Sequence, residues 1–229
     1  MMNNRNNPLD DSLRECDLAV LANGAPPTGA ALDVLRSARV LVACDGAAAK
    51  ARALGREPDF VVGDGDSLSA SEIASLGGRF VRISEQETND LAKAVRFACE
   101  KFPLAKSLVI IGAHGLREDH FLGNVSRLPD FAEEFARAPA RPRGTTVAML
   151  TDSGRFDVVV GSRTFPARAG DPVSIFAFRP GVNASSDGLA WPLGGVSLDA
   201  LWKGTLNRAE KDRFTISAES PVVVYRPFV

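Results

Sequence analysis

Four runs of consecutive apolar residues set the rhythm of the first half of the chain. Residues 17–22 end at Asn23-Gly24, residues 39–44 at Asp45-Gly46, residues 60–62 at Gly63-Asp64-Gly65-Asp66, and residues 107–111 at Gly112. Short apolar runs without alternation predict strands buried on both faces. Helical patterns fill the gaps. Leu32 and Leu35 lie among alanines, residues 47–54 are alanine-rich and stop at Gly55, and Ser69 with Glu72 signals a capped helix over 69–76. Residues 80–83 read as a short strand, and Leu91, Val95 and Ala98 give helical spacing over 89–101. The expectation is a mostly parallel sheet flanked by helices. Its carboxyl edge would collect Asn23, Asp45, Asp64, Asp66 and the residues after Gly112. Ligands of open α/β sheets bind at that edge.

The pattern changes after about residue 136. Two prolines, a glycine and three arginines (Arg137, Arg141, Arg143) over 136–144 read as a solvated linker. Beyond it, β-type segments recur at 146–150, 156–160, 173–178, 214–218 and 222–225, and residues 213–218 alternate polar and apolar as a half-buried strand does. The fold class expected is α/β: an N-terminal mostly parallel sheet flanked by helices, followed by a C-terminal all-β sandwich. The divisions are a flexible segment at 1–16, an α/β domain at 17–136, a linker at 137–145 and a β-sandwich at 146–229.

Composition narrows the partners. The 229 residues carry a net charge of −1, which removes any global argument for nucleic acid or a membrane surface. No stretch approaches the ~18 apolar residues of a membrane span, and the polar start, rich in asparagine, lacks the apolar core of a signal peptide. Cys16, Cys44 and Cys99 are odd in number, far apart and set in apolar surroundings, which points to a reducing, cytoplasmic setting rather than a disulfide frame or zinc site.

Candidate chemistry lies at the strand ends. Asp64 and Asp66, two apart among glycines, would present oxygens to one small region, as Mg²⁺ prefers. Asp90 and Lys93 are three apart at the start of a helix and share a face. The stretch Gly112-Ala-His114-Gly-Leu-Arg117-Glu-Asp119-His120 holds both histidines of the chain directly after a buried strand. No G-x-x-x-x-G-K-[ST] loop and no G-x-S-x-G elbow occurs, and Gly63-Asp64-Gly65-Asp66-Ser67-Leu68 lacks the third glycine of a dinucleotide loop. Two bare carboxylates ~5 Å apart repel by roughly 3 kcal/mol at an effective dielectric of 20. Asp64, Asp66, Asp90 and Asp119 gathered at one edge therefore call for divalent metal and polyphosphate, with Lys93 and Arg117 supplying positive charge.

Taken in order, Cys44-Asp45-Gly46-Ala47, Gly63-Asp64-x-Asp66-Ser67, Asp90-Leu91-x-Lys93-Ala94, Gly115-x-Arg117-x-Asp119-His120, Gly188-Leu189-Ala190-Trp191-Pro192-Leu193 and Gly204-x-x-Asn207 resemble thiamin pyrophosphokinase. The resemblance spans about residues 17–217. It implies transfer of the β,γ-diphosphate of ATP to the hydroxyethyl oxygen of thiamin, releasing AMP, in a homodimer whose active sites lie between subunits. It makes Asp64, Asp66, Asp90 and Asp119 the Mg²⁺ and diphosphate ligands, with Lys93 and Arg117 neutralising the transferred group. Asn23, Asp45, Gly46 and His120 would meet the nucleotide. Trp191, Asn207, Ser185 and Ser186 would meet thiamin. Asp90 and Asp119 both qualify as a general base, and metal coordination would suffice without one. The other readings are a pyrophosphokinase or nucleotidyl-transfer relative acting on another alcohol, and a catalytically silent nucleotide- or thiamin-binding regulator. The chain departs from the family pattern at Gly65, where an aromatic is usual, at Asn89 for Thr, and at Leu206 and Arg208, where Ser and an acidic residue are common.

Overall fold

The computed structural model describes residues 16–228, so the expected flexible start falls almost wholly outside the described residues. Two compact units divide at Asp152/Ser153.

The first unit runs β1 (Leu18–Leu21), α1 (Gly29–Ser37), β2 (Val40–Cys44), one 3₁₀ turn (Asp45–Ala47), α2 (Ala48–Ala53), β3 (Phe60–Gly63), α3 (Ala70–Leu76), β4 (Phe80–Arg82), α4 (Asp90–Lys101), β5 (Ser107–Ile111), α5 (Glu118–Ser126), α6 (Leu128–Ala136) and β6 (Thr146–Leu150). The strands pair only in parallel, in the order β6-β5-β1-β2-β3-β4. Every residue of β1 is buried, as a strand covered on both faces requires. Right-handed crossovers put α1–α3 on one face and α4–α6 on the other. From β1 the chain steps to β2 on one side, and from β5 to β6 on the other. The carboxyl ends of β1 and β5 thus form a topological switch point.

Two expectations are corrected here. The strand at 146–150, expected to open the C-terminal domain, pairs in parallel with β5. Its Val147–Leu150 stretch is buried throughout, like the other strands of the sheet, and shows no alternation. Arg141, read as a solvated linker residue, turns inward. Its guanidinium donates to the carbonyls of Cys99 (3.0 Å), Phe102 (2.7 Å), Ala105 (3.0 Å) and Phe135 (2.8 Å), closing the C-terminal end of α4.

The second unit is antiparallel: β7 (Gly154–Pro166), β8 (Pro172–Phe176), β9 (Ala184–Asp187), β10 (Asn207–Arg208) and β11 (Arg213–Pro227). The expected strands at 214–218 and 222–225 are one strand, β11, whose register on β7 shifts between Ala218 and Val222. Pro221, which has no N–H for the ladder, lies in that irregularity. Phe165, Ile175, Phe214, Ile216, Val222 and Val224 anchor the core.

A cluster of charges lies inside this unit. The fully buried Asp157 carboxylate meets Arg155 at 2.8 Å, Arg226 at 2.8 Å and Arg163 at 3.2 Å. Burial pushes its carboxyl up, but the three guanidiniums outweigh burial and hold it below the usual range. A depressed carboxyl stabilises the fold above its unfolded value of ~3.9, and that contribution is lost as pH falls through the folded value. Asp157→Asn leaves the arginines uncompensated, and we expect it to cost about 3–5 kcal/mol. Urea unfolding at pH 7 measures this; a loss below about 1 kcal/mol would show that Asp157 does not hold the unit together.

Candidate active site

The chain leaves β2 directly into Asp45, whose side chain is 2% exposed. Asp45 leans against Gly63, where a Cβ would stand 2.4 Å from the Asp45 Cγ. Only glycine permits that approach. The Asp45 Oδ1 accepts the Gly46 N–H at 2.7 Å and its Oδ2 the Gly65 N–H at 3.0 Å. Burial pushes this carboxyl up, the two N–H groups pull it down, and the charges of Asp90 and Asp64 add to the upward push. After β3, Asp64 Oδ1 accepts the Asp66 N–H at 3.1 Å and Oδ2 accepts Gln86 Nε2 at 3.1 Å. These hydrogen bonds, the Asp66 N–H first, hold the Asp64 carboxyl below its usual range. Oxygens of Asp45, Asp64 and Asp66 lie within 4.8 Å of one another. An all-oxygen donor set of this kind suits a hard divalent cation.

The trio differs in membership from the expected metal set. Asp45, expected at the nucleotide, joins Asp64 and Asp66. Asp90 and Asp119 stand outside the trio. Asp90 opens α4 and takes the ammonium of Lys93 at 3.2 Å. Burial is the main upward push on the Asp45 carboxyl and the Cys44 thiol, and the charge of Asp90 adds to both. Lys93 is 2% exposed, so its charge is desolvated and paired. Asp119 is exposed and forked by Arg117 Nε (3.0 Å) and Nη2 (2.5 Å), and Arg117 pulls its carboxyl down to about 2.

A cavity of about 350 Å³ sits at the switch point, within the range of small-molecule sites. Asn23, Asp90, His114, Arg117 and His120 line it. Of the residues expected at the nucleotide, Asn23 and His120 are here. Asn23 is not a loose donor, because Lys50 Nζ binds its Oδ1 (2.8 Å), its carbonyl (3.1 Å) and the Gly24 carbonyl (2.6 Å). A Cβ at Gly46 would come 2.3 Å from the Asn23 Nδ2, so Gly46 makes room for that amide. Asn89, standing where Thr is usual, caps α4 through Oδ1 on the Ala92 N–H at 2.9 Å. Glu85 braces the same start by accepting the Thr88 hydroxyl and Arg96 (2.8 Å); the Thr88 bond leads in pulling its carboxyl down to about 2. Lys50, Glu85, Gln86 and Arg82 carry no motif, and sequence reasoning assigned them no role in the site.

In the second unit Trp191 is 55% exposed, with the Arg208 guanidinium 5.1 Å from its ring centre. Asn207 is spent on holding it: Oδ1 accepts the N–H groups of Trp191 (3.2 Å) and Arg208 (2.9 Å), and Nδ2 donates to the Trp191 carbonyl at 2.7 Å. Ser186 Oγ accepts the Leu193 N–H at 3.0 Å. Ser185 lines an open hollow of about 610 Å³ with Ser162, Asn183 and Ser217.

The structure is thus that of a two-unit α/β protein with a carboxylate trio on the ligand edge of a doubly wound sheet, beside a cavity of small-molecule size, joined in one chain to an antiparallel unit. Two family models specify it further: "Thiamin pyrophosphokinase, catalytic domain" matches residues 31–138, and "Thiamin pyrophosphokinase, substrate-binding domain" matches residues 154–225. The chain belongs to the thiamin pyrophosphokinase family. Solved structures repeat the fold. The thiamin pyrophosphokinase family protein of Enterococcus faecalis is 20% identical, with TM-score 0.71, over 93% of this chain and 99% of that one. The thiamine pyrophosphokinase of Bacillus subtilis is 19% identical, with TM-score 0.72, over 92% and 98%. That of Candida albicans is 16% identical, with TM-score 0.73, over 93% and 90%. No curated protein matches the chain in sequence.

Proposed function

We propose that this protein transfers the β,γ-diphosphate of ATP to the hydroxyethyl oxygen of thiamin, with Mg²⁺ as the metal, giving thiamin diphosphate and AMP. One observation carries the reading: three carboxylates meet within 4.8 Å at the ligand edge of a chain that matches the family's catalytic and substrate-binding parts in order. Asp45, Asp64 and Asp66 would hold the cation, which when bound spreads and neutralises phosphate charge. Lys93, kept in place by Asp90, adds a fixed positive charge where the transferred group becomes more anionic. Arg117 is forked on Asp119, so substrate phosphates would compete with that carboxylate for the guanidinium. A carboxyl held at about 2 is a poor proton acceptor near neutrality. That counts against Asp119, leaving Asp90, or metal coordination without a base, for the thiamin hydroxyl. A cytoplasmic setting agrees with the three cysteines, all buried thiols.

With ATP, Mg²⁺ and thiamin, the protein is expected to release AMP in step with thiamin diphosphate. ADP as the product would replace this reading with single phosphoryl transfer. Asp64→Asn and Asp66→Asn are each expected to lower turnover by about 10²–10³-fold without lowering the metal-free melting temperature, since each removes a repelling charge.

Trp191 would offer its face to the cationic thiazolium. Arg208 already covers that ring, and it stands where the family commonly carries an acidic residue, so two cations would compete for one face. Arg208→Ala is therefore expected to lower the KM for thiamin by about twofold to fivefold, the worth of an exposed cation–π contact. An unchanged or higher KM would remove Trp191 or Arg208 from the thiamin site.

We also propose a homodimer. Its support is the family resemblance and the exposed apolar side chains Leu201, Trp202 and Leu206 of the second unit. Sedimentation equilibrium should read twice the chain mass, and a monomer at micromolar concentration would end that proposal.

A further inference from the structure

Gly65 departs from the family pattern, and the geometry around it points to two residues that nothing above assigns. Its φ is +84°, a left-handed conformation that favours glycine. A Cβ there would stand 3.0 Å from Phe80 Cζ and 3.1 Å from Arg82 Nη2. Arg82 ends β4, level with Gly63 in the parallel register. Its Nη1 donates to the main-chain carbonyl of Asp64, and its guanidinium carbon lies 5.4 Å from the Phe80 ring centre. Four residues on, Gln86 Nε2 donates to Asp64 Oδ2 at 3.1 Å. One segment therefore grips Asp64 at both its carbonyl and its carboxylate.

The need for such a grip is physical. Residues 63–66 contain two glycines and three mutually repelling carboxylates converge on them, so the unbraced turn would open to relieve the repulsion. Asp45 is fixed by burial and two main-chain N–H bonds. Asp64 is only partly buried, and the Asp66 N–H that its carboxylate also accepts belongs to the same turn. From outside the turn, Gln86 Nε2 reaches the carboxylate and Arg82 Nη1 the main-chain carbonyl of the same residue.

We infer that Arg82 and Gln86 are positioning residues for the carboxylate trio, and that glycine at position 65 answers first to its left-handed φ and then to the closeness of Phe80 and Arg82 to any Cβ there. The inference rests on the metal reading of Asp45, Asp64 and Asp66. Groups that orient metal ligands typically matter about 10–100-fold in metal affinity, whereas a purely structural surface arginine would matter in stability alone.

The test uses Mn²⁺ as the probe, titrated into the full chain without nucleotide and followed by electron paramagnetic resonance, with thermal melts of the same samples. Arg82→Ala and Gln86→Ala are each expected to weaken Mn²⁺ binding at least about tenfold while the metal-free melting temperature stays put. Arg82→Lys should recover part of the loss, because an ammonium still reaches the Asp64 carbonyl. Gly65→Ala should weaken binding in the wild-type background and less in the Arg82→Ala background; the backbone strain is common to both, so the difference isolates the Gly65–Arg82 contact. Equal Mn²⁺ affinity in wild type and the Arg82 and Gln86 variants overturns the positioning role and leaves the metal reading standing. Affinity lost only in proportion to stability overturns it as well. A wild-type chain that binds no Mn²⁺ overturns the metal reading, and this inference falls with it.

Discussion

Like charges brought together at the end of a sheet are the constraint on which the rest of this site depends. Each pair of carboxylates ~5 Å apart costs roughly 3 kcal/mol at an effective dielectric of 20, and Asp45, Asp64 and Asp66 make three such pairs within 4.8 Å. No local preference of the chain would produce that arrangement. It is imposed by neighbouring parallel strands that must end on the same edge: β2 delivers Asp45, β3 delivers Asp64 and Asp66, and their register is fixed by Cys44 opposite Val62. The glycines then follow from the carboxylates. Gly63 admits the Asp45 carboxyl group, and Gly65 turns its N–H back onto Asp45 Oδ2.

Around that knot, most polar side chains hold the frame rather than face the cavity. Lys50 ties down the loop after β1 through three oxygens. Glu85 and Asn89 fix the start of α4, and with it the direction of Asp90 and the buried Lys93. Groups that must meet developing charge gain most when they need no rearrangement at that moment. Lys93 satisfies this condition. Arg117 does not, because it is exposed and already forked on Asp119, whereas Lys93 is buried and fixed on Asp90.

How much of this could be read from sequence depended on whether the signal was local. The four apolar runs predicted β1, β2, β3 and β5 closely because burial on both faces forces continuous apolar sequence, and Ser69 with Glu72 forms the capping box the spacing implied. The strand at 146–150 carried the same signature, yet the arginine- and proline-rich stretch before it read as a domain boundary. Arg141 looked solvated because its four carbonyl partners are supplied by residues 6 to 42 positions away. Asp64 and Asp66 stood out by spacing. Asp45 was legible as a strand end, but its approach to the other two carboxylates is a matter of cross-strand register. Arg82 and Gln86 were invisible because their partner lies 18 and 22 residues back. Asp157 and its arginines were hidden in the same way: Arg155 is near in sequence, whereas Arg226 is 69 residues distant.

The departures in the second unit can be weighed against each other. Leu206 is 87% exposed at φ +60°, a left-handed conformation that costs an ordinary residue about 1–2 kcal/mol. Nothing in its own contacts offsets that cost. Asn207 does, because its buried side chain makes three hydrogen bonds to the main chain at Trp191 and Arg208, each worth about 1 kcal/mol net, and leaving such groups unpaired would cost more than the turn does. The clasp holds the backbone at 206 whatever side chain stands there, which is why Leu can replace the family's usual Ser without releasing Trp191. Arg208 is different, because its side chain reaches the Trp191 ring itself. Leu206 therefore changes the surface beside the tryptophan, while Arg208 covers the ring itself.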